Sequence, residues 1–209
     1  MSDVILVTGF EPFGPYPANP SMDVAKALDG RRVGGAAVRS AVLPVHHAEA
    51  ARRVAALLDE HEPRAVVHVG LAAGRARIAL ERVAVNVMDY ELPDAAGHVA
   101  RGEPCVPGGL AAYFSTLPLA PILAALLADG VPAYLSNTAG TYLCNQTLYT
   151  TLHRLATSRH PVAAGFVHLP LSPAMVAASG QDLPSLDVGL AVRAVEIALG
   201  IIEPRRPDG

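Results

Sequence analysis

Cys144 lies in the stretch Ser136-Asn-Thr-Ala-Gly140-Thr-Tyr-Leu-Cys144-Asn-Gln146. The apolar run 131–135 before it reads as a buried strand. Residues 145–158 after it read as a helix, with Leu148, Leu152 and Leu155 at helical spacing. A cysteine where a strand, a short loop and a helix meet is expected to be exposed. It also lies near the free N–H groups and the positive end of the helix dipole. Both effects favour the thiolate, the reactive form. Such a nucleophile calls for a general base. His168, near the end of the apolar run 162–169, is a candidate because imidazole titrates near neutrality and can take a thiol proton. A third group usually orients the imidazole. The acids of the middle segment, Glu81, Asp89, Glu91 and Asp94, are all candidates, and spacing does not choose among them.

The other chemically capable residues fit this pattern less well. Cys105 sits in a Gly/Pro-rich segment where nothing fixes its geometry, and it reads as a bystander. His46 and His47 follow a strand end. Adjacent strand residues face opposite ways, so at most one of them should point into a site. Neither cysteine belongs to a CxxC or Cys/His spacing, so no structural metal is expected. No GxGxxG follows the first strand and no GxxxxGK[ST] occurs, so no phosphate cradle and no cofactor are expected.

The elements that must position these residues can be read in order. Residues 4–8, VILVT, form a continuous apolar run, the mark of a strand buried on both faces. The loop 9–16 carries three aromatics, and Asn19-Pro20-Ser21 then opens a helix that Ser21 can cap. Strands follow at 38–43, 65–70 and 78–88, with a helix at 48–61. Residues 89–109 read as a long excursion without regular structure. A helix at 121–129, a second loop at 171–184, a final helix at 185–201 and a frayed tail at 203–207 complete the chain. Alternating short apolar strands and helices imply an α/β fold, a three-layer sandwich around a mixed, mostly parallel sheet. Active sites in such folds gather at the carboxyl ends of the strands. That rule puts segments 9–16, 71–74 and 137–144 on one rim with His168.

Composition narrows the function classes. The 209 residues, 51% hydrophobic, suffice for one core, and 1–209 reads as a single catalytic domain. A net charge of −3 gives no reason to expect nucleic acid. Only 17% of residues are charged, so other subunits are expected to cover some apolar surface. No run approaches the ~18 apolar residues of a membrane span, and the first residues run directly into a strand, so no membrane partner and a cytoplasmic location are expected.

Several motifs together resemble one family. They are Thr8-Gly-Phe-Glu-Pro-Phe-Gly14 with Asn19-Pro-Ser21; Gly70 with Gly74-Arg75; Glu81-Arg-Val-Ala-Val-Asn86 with Asp89; Pro93-Asp94; Gly140-Thr-Tyr-Leu-Cys144-Asn145 with Tyr149; and Phe166-Val-His-Leu-Pro170. They resemble the pyroglutamyl peptidase I family, cysteine peptidases that remove N-terminal pyroglutamate from peptides, over essentially the whole chain, and the resemblance implies a sheet of phosphorylase/hydrolase-like type. The resemblance implies a triad of Cys144 as nucleophile, His168 as general base and acid, and Glu81 orienting the imidazole. It also implies that Phe10 and Phe13 close over the pyrrolidone ring, with Asn19, Leu71 (through its backbone), Tyr142 and Leu143 at the same site. The implied partners are peptides with an N-terminal pyroglutamate, and the implied assembly is a homotetramer. No metal or cofactor is needed.

One departure bears on the chemistry. The family commonly has Asp-Ala-Arg-Ile-Pro-Asp where this chain has Asp89-Tyr-Glu-Leu-Pro-Asp94, so Glu91 stands in place of an arginine. A carboxylate there either points away or raises the His168 pKa, moving the histidine limb of the pH–rate profile upward. Leu143 for the usual valine and Ala73 for a glycine are minor changes. Two other readings remain. A nucleoside-phosphorylase-like enzyme would need convergent arginines around a phosphate, with Arg75 and Arg77 the only tight pair near a strand end. A non-catalytic pyroglutamate- or peptide-binding homologue is suggested only by Glu91.

Overall fold

The apolar run near the start of the chain becomes β1 (Val4–Phe10), which lies between two parallel neighbours, β3 (Ala36–Leu43) and β4 (Ala65–Leu71). In the computed structural model, which describes residues 3–157 and 162–202, these strands form the middle of a seven-stranded sheet. A short β2 (Arg32–Val33) closes one edge antiparallel to β3. Beyond β4 comes β11 (Ala163–Leu169), parallel to it. Then β5 (Ile78–Glu81) runs antiparallel to β11, with β10 (Ala133–Ser136) parallel to β5 at the far edge. The sheet is mixed and mostly parallel, as expected.

Helices cover both faces. On one, α1 (Pro20–Leu28), α3 (Leu119–Ala128) and α6 (Val188–Ile201) share a core with Ile5, Val67 and Val167. On the other, α2 (His47–His61) and α4 (Leu143–Ala156) pack on Leu6, Val66 and Phe166. Neighbouring residues of one strand thus feed different cores, because side chains alternate across the pleat. The result is three layers.

Several local expectations need correction. The single strand expected at 78–88 is broken into β5, β6 (Val83–Val85) and β7 (Met88–Tyr90). Asn86 turns the chain out, its side chain bonding Val106 through both its amide N–H and its carbonyl oxygen at 2.9 Å. The segment 89–109 is therefore not irregular throughout. It contains β8 (Ala100–Glu103), which pairs with β7, while β6 pairs with β9 (Ala112–Phe114) just beyond. The loop expected at 171–184 contains α5 (Pro173–Ser179), which Ser172 caps by accepting from the Met175 N–H and which ends at Gly180 in a left-handed conformation.

At α1 the cap is Asn19, not Ser21. Pro20 occupies the first helical position, where its missing N–H costs nothing, so the cap falls one residue earlier. Ser21 instead accepts from the Phe10 N–H at 3.0 Å, tying the helix to the end of β1. The helix after Cys144 begins two residues earlier than expected, at Leu143, which places the cysteine within its first turn. Residue 158 and the tail 203–207 lie outside the described residues.

Candidate active site

The antiparallel step between β5 and β11 assembles the polar pair. Their register sets Glu81 opposite Phe166, with His168 two residues further along β11. By strand alternation Glu81, Phe166 and His168 then project from the same face, the one covered by α4. The strand carrying Glu81 runs against β11, so the strand-end rule alone does not bring the pair together. Their side chains meet at 2.7 Å, Nδ1 of His168 to Oε1 of Glu81.

Cys144 reaches the same place from the helix. In the parallel register Gly70 of β4 lies beside His168. It has no side chain, and a Cβ there would fall 2.7 Å from the Phe166 ring and 3.1 Å from the Cys144 sulfur. Glycine is what lets the first turn of α4 settle against the sheet. Asn145 fixes that turn, donating to the Val85 and Val87 carbonyls at 2.9 and 3.0 Å and accepting from the Val85 N–H at 2.9 Å. Tyr142, the N-cap, gives no side-chain oxygen to the first-turn N–H groups. Cys144 and His168 line one open cavity of about 390 Å³ together with Arg75 and Glu91.

The charge states follow from burial and partners. Burial pushes the Glu81 carboxyl up, but the hydrogen bond from His168, with Ser136 and Arg75 adding to it, holds the group below its ordinary value. Glu81 is thus ionised, and Arg75 donates to the same Oε1 at 2.7 Å. Burial lowers the His168 pKa, and Glu81 only partly offsets it. A carboxylate only accepts, so the imidazole proton sits on Nδ1 and Nε2 is left as a base. The Cys144 thiol is pushed up to about 12, first by burial and then by the Glu81 charge.

The sulfur is half-buried rather than exposed as expected, and that burial opposes the thiolate-favouring pull of the helix start. A helix terminus contributes roughly 0.3–1 kcal/mol, less than one pKa unit at about 1.4 kcal/mol each, so it does not overcome the burial. The His168 shift is set first by burial and then by Glu81 and Arg75, and it is downward, which favours the alternative in which Glu91 does not act on the imidazole.

The six residues expected to hold substrate share one narrow slot. Phe10, Phe13, Asn19, Leu71, Tyr142 and Leu143 line it together with Cys144 and Val45. It encloses about 10 Å³, close to the room one water needs. A five-membered lactam therefore enters only if a wall moves. Phe13 and Tyr142, half-buried with ring centroids 5.8 Å apart, are the walls free to do so.

The remaining candidates separate cleanly. Asp94 is buried and accepts from the His47 N–H, His47 Nδ1, the Ala96 N–H and the His98 N–H, all within 2.9 Å. Asp89 is exposed. His46 and His47 do not diverge as strand neighbours would, because His46 is the cap of α2 and His47 its first residue. Their rings stack at 5.1 Å. The ligand atoms of His46, His47 and Asp94 lie within 4.8 Å of one another. Yet both Asp94 oxygens already accept two donors each, and His46 Nδ1 accepts from the backbone N–H groups of Ala48 and Glu49. A cation there would have to displace the bonds that hold this corner, and the cluster reads as a brace. Arg75 and Arg77 part company, one to Glu81 and the other over the Tyr134 ring at 4.7 Å, so they frame no phosphate. Cys105 packs beside Met88, Tyr90 and Ala100.

Two residues of the site were not assigned a role from sequence, Gly70 and Arg75. The signal for the first was a glycine near the end of a largely apolar strand, which marks a close approach. The second follows Gly74, whose φ of 83° makes the turn that sends Arg75 back to the sheet.

Fold and side chains together fit one class, thiol-dependent peptidases built on an α/β scaffold. The family profile described as pyroglutamyl peptidase matches residues 3–204. The pyrrolidone-carboxylate peptidase of Pyrococcus furiosus is 44% identical over 200 residues, covering 94% of this chain and 96% of that one. That of Deinococcus radiodurans is 45% identical over 199 residues, covering 93% and 91%. A solved structure of a variant pyrrolidone carboxyl peptidase from the hyperthermophile P. furiosus superposes with a TM-score of 0.92 at 43% identity, covering 95% of this chain and 97% of that one. The chain belongs to the pyroglutamyl peptidase family.

Proposed function

We propose that the protein hydrolyses the bond after an N-terminal pyroglutamate in peptides, as a single catalytic domain over 1–209, by acyl transfer through Cys144. The observation that carries this reading is that one sulfur borders both an apolar slot and the cavity lined by His168, whose ring Glu81 anchors from behind. The lactam is flat and neutral, so Phe10, Phe13 and Tyr142 can take its faces while backbone groups meet its N–H and C=O. A free N-terminal glutamate would carry charge into that slot and be rejected.

Burial pushes the Cys144 thiol up, so the resting sulfur is held mainly as the neutral thiol. Nucleophile formation therefore falls to Nε2 of His168, which takes the proton as sulfur attacks the pyroglutamyl carbonyl. The N–H groups of the first turn of α4, uncapped by Tyr142, are placed to hold the oxyanion. The imidazolium, steadied by Glu81, then protonates the leaving amine. The same nitrogen next activates water to cleave the thioester. No step calls for a metal or cofactor.

Two thiols free of disulfide suit a reducing compartment, and we place the activity in the cytoplasm. Among the described residues no helix is long and apolar enough to cross a membrane. Leu110, Phe114 and Leu127, each more than half exposed, support assembly into a homo-oligomer, a tetramer by family resemblance.

Release of a fluorescent amine from a pyroglutamyl conjugate tests the proposal. The parent should turn over, iodoacetamide should stop it, and a chelator should leave it intact. Cys144→Ala should lower kcat by at least about 10³-fold. A Cys144→Ala enzyme with near-parent turnover ends the proposal.

A further inference from the structure

Slot and cavity meet at the nucleophile. Both are lined by Phe13, Leu71, Tyr142 and Cys144, but the slot is nearly closed whereas the cavity is open. With the pyroglutamyl ring in the slot and its carbonyl at Cys144, the residue after pyroglutamate has to lie in the cavity. His168 is also there, as protonation of the leaving amine requires. The charges of that cavity therefore act on the second residue of the peptide.

Three side chains of the cavity, apart from tyrosine and the thiol, can carry charge: Arg75, His168 and Glu91. Arg75 is matched by Glu81 at 2.7 Å and also donates to the Thr138 carbonyl at 3.2 Å. Burial keeps His168 neutral. Glu91 is exposed and, among the described residues, has no ion-pair partner. The one uncompensated charge on the leaving-group side is negative. The same cavity is lined by Phe13, Tyr16 and Tyr142, aromatic rings of the kind that also attract cations.

We infer that Glu91 sets specificity at this position, favouring peptides whose residue after pyroglutamate carries a cationic side chain and disfavouring acidic ones. The inference rests on the peptidase reading above and names a substrate class within it. An exposed pair of this kind changes affinity by about twofold to fivefold. Screening at ~1 M salt, where the Debye length is roughly 3 Å, should remove most of it.

The test compares kcat/KM for pyroglutamyl tripeptide amides with lysine, glutamine or glutamate in second place, followed as pyroglutamate release at low and high salt. The expected order at low salt is lysine, then glutamine, then glutamate, about twofold to fivefold apart, converging in high salt. Glu91→Gln should bring the lysine-to-glutamine ratio to about one, and Glu91→Arg should invert the lysine-to-glutamate order. Each ratio is taken on one enzyme, so any influence of Glu91 on the leaving amine cancels. A ratio of one in the parent overturns the inference, and so does a parent-like ratio surviving in Glu91→Gln. Cleavage of the glutamine peptide with flat ratios defeats this inference alone, whereas release from none of the three defeats the peptidase reading as well. Circular dichroism of both variants separates misfolding from lost preference, and either folded variant suffices to decide.

Discussion

His68 and His168 lie two positions apart along neighbouring strands, since β4 and β11 pair His68 with Phe166 and Gly70 with His168. Both are buried, and burial lowers both imidazoles, His68 to about 3. Their bonding differs. His68 is held at both nitrogens by hydroxyls, Thr8 Oγ1 at 2.7 Å and Thr151 Oγ1 at 3.0 Å. His168 is held at one, by a carboxylate at 2.7 Å. Its other nitrogen has no hydrogen-bond partner among the described residues. Burial by itself makes a histidine a neutral core residue. A base arises when one nitrogen is anchored to an anion that can stabilise the imidazolium and the other is left to face the substrate.

The sharpest way to break this contrast is to replace each histidine by glutamine. His168→Gln should lower kcat by about 10³-fold, because general-base removal costs roughly 10²–10⁴, and should also cost ~1–3 kcal/mol of stability as buried Glu81 loses a donor. His68→Gln should retain activity within about tenfold but lose ~1–3 kcal/mol of stability, as a buried threonine hydroxyl loses its partner. Urea denaturation and steady-state kinetics on both variants read the two effects, and a reversal of the pattern would assign the base to the wrong strand.

A smaller effect on rate is expected from Glu81→Gln. The neutral amide neither stabilises the imidazolium nor holds the tautomer, so kcat should fall by about 10²-fold or more with KM little changed. It also removes the anion from the Arg75 guanidinium, whose side chain is 25% exposed and keeps the Thr138 carbonyl, so stability should fall by less than the ~3–5 kcal/mol of a fully buried pair. A parent-like kcat in this variant would show that the carboxylate only packs.

The smallest effect separates the two rings by pH. A depressed pKa means that the unfolded chain binds the proton more readily than the folded one. Stability is then full above the ordinary value of 6.5 and is lost as pH falls toward the folded value. For His68 that loss extends from 6.5 down to about 3, and Thr8→Val should alter it without touching kinetics. For His168 the same shift places the acid limb of kcat/KM below 6.5. An acid limb above 6.5 would mean that another charge, with Glu91 the first suspect, reaches the imidazole after all.

The long strands were legible because each is an apolar run buried on both faces, and β1, β4 and β11 fall within two residues of their expected bounds. The small strands β6 to β9 were not, because three or four residues of ribbon leave no periodicity to count and their pairing depends on bonds such as those of Asn86. Cys144 and His168 could be reached from residue type and strand ends. Glu81 could not, because its partner is 87 residues away and the two meet through an antiparallel register that no local pattern encodes. The cap of α1 was misassigned between two residues that both cap well, although the intervening Pro20 held the answer. The state of the thiol was misjudged for a different reason. A helix start is visible in sequence, but the depth at which Gly70 lets the sulfur sit is not.

The bond from Arg75 to Glu81 has a consequence for the whole catalytic cycle. At rest the buried group holds one guanidinium, one carboxylate, a neutral ring and a neutral thiol, which sum to zero. Moving the thiol proton to the ring creates one plus and one minus, and so does an oxyanion opposite an imidazolium. In the proposed cycle these four groups therefore never have to hold a net charge, whichever intermediate occupies the site. Without Arg75 every one of those states would carry an extra electron's worth of charge away from water. The arginine, which touches neither sulfur nor imidazole in the structure, lets the rest of the site exchange protons at constant total charge.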